Sequence, residues 1–181
     1  MVDTRIALRD VRGPLEDLLR KLSGDGGEKW LRATAKMLRG ENPWEIVAKD
    51  FAPWKSVQIG AGLKTGDDFR AAIKQAGMKI GDWANDILGK PAFTVATEEI
   101  TLDLVRPSVA DLGFPKGATR KDIYNRAQDL GLGLCPAEVG PQLRLQYPDQ
   151  PAGEWLFIGM EPIADSDGGL SVFSVERDGV D

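Results

Sequence analysis

Residues 143–175 read LRLQYPDQPAGEWLFIGMEPIADSDGGLSVFSV and hold three short runs of alternating or β-prone residues: Leu143 to Tyr147, Glu154 to Met160 and Leu170 to Val175. Pro148–Gly153 and Asp165–Gly169, both rich in turn formers, separate them. This spacing predicts an antiparallel meander. Trp155-Leu156-Phe157-Ile158 is apolar on both faces, which predicts a central strand covered on one side by helices.

Upstream, Phe93–Ala96 and Ile100–Val105 read as strands, and a helix capped by Thr119, with Asp122 three residues on, carries Ile123, Ala127 and Leu130. Trp54–Ile59 alternates and runs into the turn Gly60-Ala61-Gly62. Thr65 and Asp68 open a helix whose inner stripe is Phe69, Ala72, Ile73 and Ala76. A shorter helix over Ile80–Leu88 turns Trp83, Ile87 and Leu88 inward.

The N-terminal region is helical throughout. Leu15, Leu18, Leu19 and Leu22 recur at the helical period after Pro14, and Ser23–Gly27 stops that helix. In Glu28–Arg39 the residues Trp30, Leu31, Thr34, Met37 and Leu38 share one arc, while Lys29, Arg32, Lys36 and Arg39 gather opposite. Asn42-Pro43 predicts a short third helix ending before Pro53. The expected fold class is α+β, a helical N-terminal half followed by an antiparallel, strand-rich C-terminal half. Its domains are a helical arm over residues 1–50 and an α+β body over 51–181.

The 181 residues contain no histidine and one cysteine, Cys135. That excludes Ser-His-Asp and Cys-His relays and the usual zinc ligand sets. A lone cysteine forms no internal disulfide, the opening MVDTRIALRDVRG has no apolar signal core, and no window reaches the roughly 18 apolar residues of a membrane span. The expected location is cytoplasmic. Net charge is −5, but residues 1–40 hold nine basic and six acidic side chains, so the remainder is strongly acidic. An anionic partner would meet the arm first.

The segment from Trp54 to about Val175 resembles a family of small uncharacterised bacterial proteins through IGAGLKTGDDFR, IGDWANDILGKPAF, LGLGLCPAEVGPQLRLQY and GEWLFIGMEPIADSDG. The resemblance implies a defined fold and an aromatic, polar tail beyond the last strand. It implies no activity for any residue.

Several constellations are candidate sites. Asp165-Ser166-Asp167-Gly168 has the carboxylate spacing of a cation-wrapping loop, and equally that of a hairpin turn. Cys135-Pro136-Ala137-Glu138 holds a thiol and a carboxyl in a stiff loop within reach of Arg144, or else buries the cysteine as a small hydrophobe. Trp30, Trp83 and Trp155 fall on stripes that predict core positions, not sugar platforms. Arg120, Lys121 and Arg126 on the Thr119 helix would suit phosphates, although Asp122 and Asp129 offset them.

The expected function is binding of a macromolecular partner, a protein in the first place, through Lys29, Arg32, Lys36 and Arg39 or the exposed side of the sheet, with no cofactor. A small carboxylate enzyme using Glu138, Arg144, Asp165 and Asp167, with or without a divalent cation, is the alternative. Nucleic-acid regulation through the basic helix is the second.

Overall fold

The computed structural model describes residues 8–24, 27–40 and 51–177, and the chain divides into two units, Met1–Val47 and Ala48–Asp181. The first unit is a hairpin of α1 (Leu8–Ser23) and α2 (Gly27–Leu38), which pack on each other. Residues 41–50, on which the third helix was expected, lie outside the described residues.

The second unit runs β1 (Lys55–Ile59), α3 (Gly66–Gln75), α4 (Asp82–Leu88), β2 (Ile100–Leu104), α5 (Arg120–Asp129), α6 (Val139–Gln146), β3 (Trp155–Phe157), β4 (Ile163–Ala164), β5 (Leu170–Ser171) and β6 (Ser174–Glu176). Every strand pair is antiparallel: β1 with β2, β3 with β6, and β4 with β5. The protein is an α+β fold with helices mostly in its N-terminal half and strands toward its C-terminal end. The Phe93–Ala96 run forms no strand, but Phe93 is buried with its ring edge-on to Phe69 and Phe173.

Local chemistry explains the helix starts. The Thr65 hydroxyl accepts from the Asp68 amide at 3.1 Å and the Asp68 carboxyl accepts from the Thr65 amide at 2.9 Å, a complete capping box. Thr119 caps α5 through the Asp122 amide in the same way. Gly66 is obligatory at the head of α3, since a Cβ there would lie 2.0 Å from the Leu88 carbonyl oxygen.

The expected meander is corrected at two points. Leu143–Gln146 belongs to helix α6, with Tyr147 at its C-cap, and not to a strand. The Leu143/Leu145/Tyr147 alternation mimics a strand, but Val139, Leu143 and Tyr147, spaced four apart, are the buried large apolar residues of this stretch, while Leu145 is only half-buried. Pro141 fits because it stands in the first turn, where its missing N–H breaks no helical bond. Without that strand β3 has, among the described residues, only β6 as its partner, so Trp155–Phe157 is not central. Strands β3 to β6 instead nest as one interrupted hairpin, β4–β5 inside β3–β6, with the Ile158 amide continuing the outer ladder to the Phe173 carbonyl at 2.9 Å. In the interruption Met160 bridges to Cys135 and accepts the Tyr124 hydroxyl at 2.9 Å.

Helix α6 is the centre of this unit and packs against β1, α3 and β6. Val139 to Leu143 are all buried, and Gly140 lies so close to the Phe173 ring that a Cβ would come within 2.6 Å of it. Its polar stripe, Glu138, Gln142 and Gln146, also repeats every four residues. The fully buried Glu138 carboxyl accepts from the Gly60 amide at 2.8 Å, the Ala96 amide at 2.8 Å and the Gln142 side chain at 3.0 Å. Gln146 donates to Gln142 at 2.9 Å and exchanges two bonds with the Gln58 backbone, at 2.9 and 2.8 Å. The stripe therefore sews α6 to the end of β1 and to the chain before β2. Glu138→Gln, nearly equal in volume, would set an amide NH2 against a buried N–H. The expected loss of stability is on the order of 2 kcal/mol, more for Glu138→Ala, read as a lower urea midpoint at constant slope.

Candidate functional site

Cys135 and Glu138 stand three residues apart, but the fold gives them separate tasks. Both Glu138 oxygens are engaged by the donors just described, two on Oε1 and one on Oε2, inside a fully buried site. Cys135 is half-buried beside a cavity of about 240 Å³ that Thr94, Pro136, Ala137, Glu161 and Pro162 also line. Burial pushes its thiol above the ordinary cysteine value, and no cation opposes that shift. The protonated thiol is a weak nucleophile. Arg144 turns elsewhere and donates to the Gln150 side-chain oxygen at 3.3 Å. Gln150, which the sequence did not single out, is fully buried and ties the Glu154 and Val175 carbonyls together at 3.1 and 3.0 Å.

The acidic loop is a turn whose lead carboxyl is engaged. Asp165 is buried and accepts from the Asp167 and Gly169 amides at 3.1 and 2.7 Å and from the Ser171 hydroxyl at 2.9 Å. Gly168 sits at φ 83°, the left-handed position that the turn requires. Asp167 is exposed. Ser166 anchors the turn to α4, its amide and hydroxyl donating to Asp86 at 2.7 and 2.6 Å. Those bonds, with Lys90 beside them, hold the Asp86 carboxyl below the usual aspartate range. A depressed folded-state value contributes stability above the ordinary aspartate range, and that contribution is lost as pH falls through the lowered value. Among the described residues no three of cysteine, aspartate and glutamate come together as metal ligands.

The phosphate-facing residues proposed for α5 are partly spent inside the fold. Arg120 donates to the Leu170 carbonyl at 2.9 Å and Arg126 to the Leu112 carbonyl at 3.3 Å. On the hairpin, Arg32, Lys36 and Arg39 lie on or just beyond α2, with Arg32 and Arg39 exposed, while the Lys29 side chain lies outside the described residues.

The prominent surface feature is one the sequence reading placed in the core. Trp155 is 61% and Phe157 72% exposed, their rings stacked at 5.8 Å between centroids and 23° between planes. Directly paired residues share a face, so Glu176 opposite Trp155 and Ser174 opposite Phe157 belong to this side, while Leu156 and Val175 take the other. Val175 is buried. Trp83, also expected inside, is 60% exposed. Burial alternates from Glu154 to Ile158, with Leu156 turned inward, but the sequence carries no sign of it because all of Trp155–Ile158 is apolar.

Because burial raises the Cys135 thiol above its ordinary value and restricts access to it, the residue should react with a maleimide or disulfide reagent at pH 7.5 severalfold more slowly than in urea, as followed by absorbance or mass. Comparable native and unfolded rates would contradict the assignment. Neither protein families nor curated proteins nor solved structures yield a match to this chain.

Proposed function

We propose that the protein acts by binding a macromolecular partner, and that the outward face of β3–β6 is a principal contact. One observation carries this reading: two large aromatic rings, Trp155 and Phe157, stand stacked and more than half in water on a short sheet whose reverse side is core. Exposing so much aromatic surface is unfavourable unless a second surface covers it, and tryptophan is among the residues that dominate interface energetics. Glu176 and Ser174 on the same face supply polar groups beside the rings, as the rim of an interface does.

The basic face of α2 supports the same kind of activity by a different term. Lys29, Arg32, Lys36 and Arg39 concentrate positive charge in a chain of net charge −5. Such a face accelerates encounter with an acidic partner more than it prolongs the complex.

Capture of the tagged full chain's partner, identified by mass spectrometry and then titrated as a purified protein, separates the two contributions. Trp155→Ala with Phe157→Ser is expected to weaken the complex about 30-fold or more, chiefly through dissociation, and to leave thermal unfolding unchanged. Changing the four basic residues to glutamine is expected to slow association and flatten its salt dependence. Equal affinity for the aromatic double variant and the native chain would refute the assignment of the sheet face.

A further inference from the structure

We infer that the α1–α2 hairpin is covered by a second copy of itself, making a two-fold four-helix bundle. This goes beyond the reading of the sheet face and uses different residues. The two helices approach closely where they are joined: the Gly27 amide donates to the Gly24 carbonyl at 3.0 Å, and a Cβ on Gly27 would lie 2.1 Å from the Leu22 carbonyl oxygen. The Lys21 ammonium sits over the Trp30 ring at 4.3 Å. Yet of the described hairpin side chains only Ala33 is buried, and Leu15, Leu19, Leu31, Met37 and Leu38 are between 53% and 82% exposed. A pair of helices buries too little apolar surface to persist uncovered.

The exposed residues are organised. Leu15 and Leu19 are one turn apart on α1, and Leu31 and Leu38 two turns apart on α2, so each helix presents its leucines along one side. Arg32, Lys36 and Arg39 fall on other sides of α2, so leucine faces can meet without bringing these cations to the centre. Among the described α1 side chains, Glu16 is matched within the helix by Arg12 at 2.9 Å and Asp17 by Arg20 and Lys21.

The area favours a second copy. The four leucines, each leaving about 100 Å² in water, amount to on the order of 800 Å² from two hairpins, the larger part of the apolar share of a standard-size homodimer interface. An isologous face of leucines against the same leucines also closes the assembly at two chains.

Sedimentation equilibrium of the full chain between about 1 and about 100 μM should show a species of twice 19.7 kDa. Leu15→Lys with Leu31→Lys should be monomeric, with the cooperative unfolding transition of the rest of the chain retained. The milder pair Leu19→Ala and Leu38→Ala should raise the dimer dissociation constant at least tenfold, which keeps the test valid if the lysine variant misfolds. Trp155→Ala with Phe157→Ser should leave the dimer intact, so failure here and failure of the sheet-face reading are separable. A monomer at every concentration overturns the inference, whether or not it binds phosphatidylglycerol vesicles, and so does a dimer indifferent to the hairpin variants or one lost with the aromatic pair.

Discussion

The buried Glu138 carboxyl is the constraint around which the larger unit is arranged. It accepts from two backbone amides that no strand ladder satisfies, at Gly60 where β1 ends and at Ala96 before β2, and from Gln142 one turn along its own helix. An unpaired amide in that position is costly, so the three segments are obliged to meet where they do. Gly60 has to be glycine there, at φ 73° and with the Glu98 carbonyl oxygen 2.0 Å from where a Cβ would stand. Apolar burial from Val139 and Leu143 then packs what the polar stripe has aligned. A carboxyl so committed is part of the framework, which is why the chemistry suggested by its neighbours Cys135 and Arg144 does not assemble.

Asp165, Gln150 and Ser166 are occupied with turn and ladder groups, while Trp155 and Phe157 make few polar demands and face outward. Under the proposed reading, stability and recognition are thereby kept on different surfaces, and the sheet face can be altered with little effect on the interior. The hairpin proposal follows a related logic, in which a second apolar face completes what two helices leave uncovered.

Much of the fold was legible in the residues. Thr65 with Asp68, and Thr119 with Asp122, announced α3 and α5 through chemistry that acts within one turn, and the turn formers around Asp165 announced a turn between strands, although β4 at Ile163–Ala164 lies beyond the strand expected to end at Met160. What was not legible was decided at long range. Leu143-Arg144-Leu145-Gln146-Tyr147 has a period of two by eye and a period of four in its buried members, and only the demand of Gly60 and Ala96 for acceptors selects the helix. The orientation of Trp155 depended in turn on that helix, since a strand lost from the sheet turns a central position into an edge. As for the candidate residues, spacing alone could not say that Glu138 and Asp165 would each be engaged by two backbone amides and a side chain, because the amides come from Gly60 and Ala96, far along the chain, and from the turn's own folding.

Gln146 does one thing more than join α6 to β1. By engaging both the N–H and the C=O of Gln58, its side-chain amide imitates the rung that another strand would provide. A foreign β-segment arriving at this margin finds the Gln58 pairing position already taken, which blunts the templated growth that unguarded sheet margins invite in crowded solution.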